Sequence, residues 1–471
     1  NDDRFGGFLD LYYRADCRKI FTQIAAKAIT LYGIKINNIN FDTTSKVMWG
    51  QYETDEGKLG AVKMEFGHSK DKRDDKKQIK FGVGCANGLI VDAQVLSGNM
   101  DDKTYNKETL KELDSTLNNL NVNKDSFYYI ADSALFSEEN LTIAADKEIK
   151  LITRMPDNVL IAKNAIEEAI SQLDTMKTIV IENSKKDGSA YRITEKICDY
   201  EGHNLGLTVC YSETLRPAKE KTIGKAVKKE TEKIAGIIKL LSKREFACEK
   251  DANVEIAKLK DKTLKKVAFH DVTYSVREVE RRRRGRPSIT KVETSPQGYK
   301  YFVDITYVIN EQKIISAIEQ ASCFVLCSND ISLSGQAMLR EYKTQDSVEK
   351  KFQQLKSPQF VNSIYLESPQ RIEAFSYLMM ICMLILSLTE YVVRKGLQED
   401  HDLILGPNNK KMKRPTQRAI YDIFYAVRIR LVRHPDKPWE RTFTEPLSDS
   451  IKKVLKYLHI PDDTFIMGRR Y

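Results

Sequence analysis

Three carboxylates at wide spacing are the residues of this chain most able to do chemistry. Asp42 lies near the end of the β-rich run "KINNINFDTTS", Asp132 closes the aromatic run "SFYYIAD", and Glu349 lies in "YKTQDSVEKKFQQLKS", Tyr342 to Ser357. At about 100° per residue on one helix, Tyr342, Gln345, Glu349 and Lys356 share an arc of about 60°. Val348, Phe352 and Leu355 form an adjoining apolar stripe that would anchor such a helix. Taken singly, each aspartate fits a turn or cap as well as a site, and Glu349 fits a solvated partner for neighbouring lysines. Three carboxylates converging on one point would repel one another unless a cation stood between them. Hard oxygen donors without a His/Cys cluster select Mg²⁺ or Mn²⁺. Two such ions can activate water or a 3′-hydroxyl and stabilise the leaving oxygen of a phosphodiester.

The elements that must position these groups follow an α/β rhythm. A helical opening, Leu9 to Tyr32, precedes the first core strand, and Asn87-Gly88 splits "IKFGVGCANGLIVDAQVLSG" into a hairpin with a type I′ turn. The polar helix "DDKTYNKETLKELDSTLNNL" follows, then the strand ending at Asp132, a helix capped by Ser137 and the strand "IKLITRM". That order suits a mixed sheet covered by helices. From about 157 to 320 the pattern changes to strand-like stretches around a lysine-rich helical stretch, Ala218 to Lys262, which reads as an insertion. The apolar strand "CFVLCS" and the helix from Tyr342 resume the core over 321–400, and 401–471 reads as a helical extension.

Lys+Arg 76 against Asp+Glu 66 gives a net charge of +10, which fits a polyanionic partner such as nucleic acid. Eight scattered cysteines with no paired C-x-x-C units suit a reduced, cytosolic location, and Cys323 and Cys327 read as strand core rather than zinc ligands. The most apolar run, Tyr377 to Thr389, is short of the roughly 20 residues that span a bilayer and reads as a buried helix, so no membrane is expected. Without a GxxxxGK[ST] loop, ATP is not implied, and the lone histidines carry no nucleophile context. The opening "NDDRFGGFLD" lacks a methionine and suggests a fragment.

Asp42 in "FDTTS", Asp132 in "IADSALFSEENL" and the spacing Tyr342-(2)-Gln345-(3)-Glu349-(6)-Lys356 resemble the DDE transposases of bacterial insertion sequences. The likeness is to the IS-four family, with its Tyr-(2)-Arg-(3)-Glu-(6)-Lys signature, and to a subgroup with a "GHSKDKRDDKKQ"-like segment; it extends over most of the chain. The resemblance implies a ribonuclease-H-like mixed sheet with flanking helices, in core parts 33–156 and 321–400, interrupted by a mainly β insertion over 157–320. Residues 1–32 would then be the end of an incomplete N-terminal DNA-binding domain. It further implies Asp42, Asp132 and Glu349 as ligands of two Mg²⁺ ions, and Tyr342 and Lys356 as contacts to the DNA end. A homodimer acting on paired terminal inverted repeats and target DNA in a bacterial cytoplasm also follows from it. One position departs: the signature arginine is Gln345, which can hydrogen-bond phosphate but carries no charge.

Two basic segments are further candidates for DNA contact. His68, Ser69, Lys70, Arg73 and Lys77 lie in "GHSKDKRDDKKQ", which without the resemblance reads as a solvated loop of nearly balanced charge. Arg284 and Arg286 lie in "RRRRGRPS", similar to the core of an AT-hook, where phosphate attraction outweighs minor-groove reading.

Overall fold

The computed structural model describes residues 2–52, 61–181, 188–281, 298–357, 360–361, 363–406, 409–433 and 440–467. Along the chain come α1 (Asp2–Arg14), α2 (Cys17–Leu31), β1 (Asn38–Val47), β2 (Gln78–Ala86), β3 (Leu89–Ser97), α3 (Asp102–Leu120), β4 (Tyr128–Ala131), α4 (Glu138–Asp146) and β5 (Lys150–Met155). Then follow α5 (Leu160–Ser171), β6 (Lys177–Ile181), β7 (Ser189–Tyr200), β8 (His203–Ser212), α6 (Arg216–Leu241), α7 (Glu249–Lys258), β9 (His270–Glu280), β10 (Tyr299–Ile309), α8 (Glu311–Ala321) and β11 (Cys323–Ser328). The last third holds α9 (Gly335–Lys343), α10 (Asp346–Lys356), α11 (Pro369–Glu399), β12 (Ile404–Leu405), β13 (Lys411–Met412), α12 (Gln417–Phe424), β14 (Ile429–Val432), β15 (Glu440–Phe443) and α13 (Asp449–Tyr457). The chain is a mixed α/β protein with two compact units.

The first unit comprises Asn1–Met155, Lys196–Leu207 and Leu326–Tyr471. Its sheet runs β3-β2-β1-β4-β5 and continues through the unit's own parts of β11, β8 and β7. Pairing is antiparallel from β3 to β1 and parallel from β1 through β4 to β5. The β2–β3 hairpin turns at Asn87 and Gly88, with φ of 52° and 78°, as the Asn-Gly pair requires. Every residue of β2 is buried, so this strand is covered on both faces. Gly82 makes that cover possible: a Cβ there would lie 2.3 Å from the Tyr105 ring of α3. Ser137 caps α4 by accepting from the Asn140 amide, the role its position before Glu138 and Glu139 suggests.

The apolar run from Tyr377 sits inside the much longer α11, 31 residues, which is long and apolar enough to cross a membrane by length and composition. It packs on β3, α1 and α2, burying Met379, Met380, Met383 and Leu384, and Arg371 grips Asp10 of α1 with two bonds of 2.8 Å. Residues 401–471 are not simply helical. Two short strand pairs, β12–β13 and β14–β15, alternate with α12 and α13 around a core of Ile404, Ile420, Ile423, Ile451, Val454 and Leu455 that Val393 and Leu397 of α11 complete.

The second unit comprises Pro156–Glu195 and Thr208–Val325. Its parts of β11, β8 and β7 lead to β6, and β9 pairs with β10 over eleven residues from His270↔Ile309 to Glu280↔Tyr299. The lysine-rich stretch read as one helical region is two helices, α6 and α7. Both deliver residues, Leu241 from α6 and Ala252 and Ile256 from α7, to a core shared with Val303 and Ile305 of β10. His270, buried at the start of β9, is held with Nδ1 2.7 Å from Glu230 and Nε2 2.9 Å from Thr231 of α6.

Candidate active site

Strand register brings the two aspartates together. The parallel ladders end at Phe41↔Ala131 and Ala131↔Thr153. The next residues on three adjacent strands are therefore Asp42, Asp132 and Arg154, level with one another and on one face by the two-residue period of a strand. On the opposite face Phe41 stacks on Tyr129 with ring centroids 4.4 Å apart, a buried contact that fixes the register beneath the row. Asp132 also caps the turn that follows: its side chain accepts from the Ala134 amide at 3.0 Å, and its carbonyl accepts from the Thr153 hydroxyl at 2.6 Å.

A lysine occupies the centre of this charge. Lys70 Nζ lies 3.0 Å from Asp42 and 3.3 Å from Asp102, and donates to the Thr43 carbonyl at 2.6 Å. Burial pushes the Asp42 carboxyl up to about 6; Lys70 opposes that rise and the charge of Asp132 adds to it. Burial also raises Asp132, against the Ala134 amide and Lys70, with Asp102 raising it further. Burial opposes the charge of Lys70 itself, but Asp42 and Asp102 together hold its ammonium above the ordinary range.

Asp102, at the start of α3, is a member the sequence reading missed. Thr43 donates to it at 2.5 Å, and Lys80 stands 3.7 Å away. The available signal was the pair Asp101-Asp102: Asp101 takes the capping role by accepting from the Thr104 amide, leaving the second carboxylate for other partners. Arg154 was missed as well, because "IKLITRM" reads as a plain core strand until its register with Asp132 is known.

Tyr342 and Glu349 do not share one helix. The chain turns at Thr344 and Gln345, so Tyr342 ends α9 while Glu349 and Lys356 ride on α10, and the common arc expected for a continuous helix does not apply. Successive amides across the joint bond three residues back, Thr344 to Glu341, Gln345 to Tyr342, Ser347 to Thr344 and Val348 to Gln345, at 2.9 to 3.1 Å. The cause is a side chain. The Thr344 hydroxyl donates to the Glu341 carbonyl at 2.7 Å, competing with the helix ladder, and accepts from Asn40 Nδ2 at 2.8 Å. Gln345 sits half-buried at the joint with no side-chain capping bond.

Tyr342 nonetheless lies within electrostatic reach of the charged row. Burial pushes its hydroxyl up to about 12; Arg154 opposes the rise, while Asp132, Asp42 and Glu349 add to it. Glu349 itself is exposed on α10, whose inner face of Val348, Phe352 and Leu355 is buried as the apolar stripe requires. Lys356 pairs with Asp71 at 2.6 Å, tying the end of α10 to the charged loop.

That loop is folded rather than merely solvated. Ser69 and Lys70 donate their amides to Asp74 and Ser45 at 3.1 and 3.0 Å, and Gln78 reaches the His68 carbonyl at 3.2 Å. His68 is exposed; Arg73 pairs with Asp75 at 2.7 Å and lies over the Trp49 ring, 5.2 Å from its centroid. Arg284 and Arg286 fall outside the described residues.

The donor chemistry of Asp42, Asp132 and Asp102 suits a hard divalent cation, but the arrangement does not. Among the described residues no three His, Cys, Asp or Glu side chains are grouped so as to hold a metal ion. The Lys70 ammonium lies between two of the carboxylates, and Glu349 is carried on a separate, exposed helix face.

No protein-family model matches the chain, and no curated protein matches it. Among solved structures, one described as "Cryo-EM structure of piggyBac transposase synaptic complex with hairpin DNA" is similar over 77% of this chain and 49% of its own, at 11% identity and a TM-score of 0.33. The chain spans about half the length of that one. A likeness so distant carries no weight for fold or activity.

Proposed function

We propose that this chain is a DDE-type DNA transposase that binds the terminal inverted repeats of its element, cleaves the ends and joins 3′-hydroxyls to target DNA. The observation that supports it most is that Asp42 and Asp132 stand level, one residue past the last pair of the parallel β1–β4 ladder, Asp42 within β1 and Asp132 just after β4, beside the carboxyl end of a parallel strand, where open α/β sheets present ligand-binding groups. The strand order β3-β2-β1-β4-β5, antiparallel and then parallel, supports a ribonuclease-H-like core.

In this reading Lys70 and Arg154 offer cations to a phosphodiester anion lying along the row. Tyr342, whose hydroxyl keeps its proton at neutral pH, donates a hydrogen bond to phosphate rather than attacking it. Mg²⁺ or Mn²⁺ on Asp42, Asp132 and Glu349 is the expectation of the family resemblance. As arranged, these carboxylates do not make its site, so no step is assigned to a metal here.

The test is cleavage of a duplex carrying the cognate terminal repeat in Mg²⁺, comparing the parent chain with Asp42→Asn, Asp132→Asn and Glu349→Gln. Loss of cutting in all three is expected, and variants that cut as well as the parent would overturn the site. Pre-cut ends incubated with a target plasmid separate a transposase from a nuclease of the same fold, since only the first yields joined products.

A further inference from the structure

Between Lys410 and Arg433 the chain places eight lysines and arginines against one acid, Asp422. A solvated basic face normally interleaves acids at helical or cross-strand spacing; here Arg418 has Asp422 at 3.9 Å and the β14–β15 ribbon carries Glu440, yet the cations still outnumber the acids. The structure turns the whole set outward. Lys411, Lys413, Arg414, Arg428 and Arg430 are all exposed, on β13, the turns flanking α12 and β14.

The fold beneath explains the orientation. α12 buries Ile420 and Ile423 in the C-terminal core and leaves Tyr421 and Tyr425 40% and 76% exposed. In the ribbon, Ile429 faces Phe443, which packs on Phe465 against that core, whereas Arg430 faces Thr442 on the opposite side. The Arg428 guanidinium donates to the Tyr425 and Val427 carbonyls, holding the turn that presents these residues. Like charges are crowded at the base of the patch as well. Burial lowers the pKa of Arg394, Glu390 opposes this, and Arg414 lowers it further.

We infer that this basic surface, built on α12 and the β14–β15 ribbon, binds the phosphate backbone of duplex DNA as a second contact separate from the carboxylate row. Charge complementarity selects a polyanion, and a short two-stranded ribbon flanked by exposed tyrosines suits a duplex surface. The inference rests on the reading that the protein acts on DNA, and it adds a sequence-independent hold on the duplex outside the cutting site.

The test is fluorescence anisotropy of the full chain on a random-sequence duplex across a salt series, for the parent and for Arg414→Gln/Arg428→Gln/Arg430→Gln. Each lost phosphate contact should flatten the log–log salt dependence by about 0.9, so a decrease of roughly 2 to 3 is expected. Affinity at low salt should fall by about tenfold or more. The triple lysine variant should keep the parent slope, separating charge from any local misfolding of the ribbon. An unchanged slope in the glutamine variant overturns the inference even if terminal repeats are cut. A reduced slope in a chain that never cuts repeats leaves the inference standing and removes the proposed activity. Tighter binding to phosphatidylserine vesicles than to duplex would overturn it in favour of a membrane surface.

Discussion

Asp42 and Asp132 are held by strands, Glu349 by a helix, and the two modes of support differ in kind. The aspartates stand one residue beyond a shared parallel ladder, so backbone hydrogen bonds and the Phe41–Tyr129 stack set their separation before any side chain is considered. Glu349 depends on where α10 points, which is set by a three-residue-back joint and by Thr344 meeting Asn40. The sheet half is therefore held by the backbone ladder, with Lys70 paired to Asp42, whereas Glu349 is exposed on a helix whose direction is set by side-chain contacts.

The contrast can be broken most severely from beneath the row. Phe41→Ala should cost about 4 kcal/mol in denaturant melts, because a fully buried ring is removed and the register contact with Tyr129 lost. A cost near that of an exposed residue would show that the stack does not anchor the row. Next in size, Lys70→Met should destabilise by about 2 kcal/mol in EDTA, since Asp42 and Asp102 lose their shared cation in a partly solvated setting. Added Mg²⁺ should then raise the melting temperature of this variant more than that of the parent; an equal response in both would show that Lys70 does not compete for the carboxylates.

Asp42 gives a pH-resolved version of the same test. Its folded pKa, about 6, lies above the ordinary carboxyl value of 3.8, so the folded state holds the proton more tightly and the parent loses stability as pH rises between those values. Asp42→Asn carries no such dependence. Its stability relative to the parent should increase from pH 4 to pH 6.5 by roughly 2 kcal/mol and level off above, measured by metal-free melts. A flat difference would place the carboxyl in a more hydrated setting. Smallest in stability is Thr344→Val, about 1 kcal/mol, for it removes the bonds to Asn40 and Glu341 while keeping the side-chain shape. Its informative readout is activity: a loss comparable to Glu349→Gln would show that the joint aims the glutamate.

The sheet half was the more legible in the sequence because its signals are local. Asp132 follows a β-rich run, Asn87-Gly88 announces its own turn, and Ser137 caps the helix it precedes; Asp42, expected at a strand end, lies inside β1 opposite Val83, because β1 runs on to pair with β2 after its parallel ladder stops. The helix half was misread as one continuous segment, since the residue that breaks it acts through Asn40, some three hundred positions away in the chain. Lys70 was legible as a basic candidate but not as the group among the carboxylates, because a loop of balanced charge does not reveal which of its lysines turns inward. Asp102 and Arg154 required register and capping to be known first. The C-terminal ribbon was hidden by helical patterning in the stretch around "PTQRAIYDIFYAVRIRLVR", only part of which, Gln417–Phe424, is helix.

The meeting of Asn40 and Thr344 also bears on how sequence spacing should be used as a ruler. In one unbroken helix the count from Tyr342 to Glu349 would fix the angle between them; across the joint that count loses its angular meaning, and the phase of α10 restarts from a pin on β1. Asn40 lies two residues before Asp42 on that strand, so a single stretch of backbone serves as the origin from which both the strand-borne and the helix-borne carboxylates are measured.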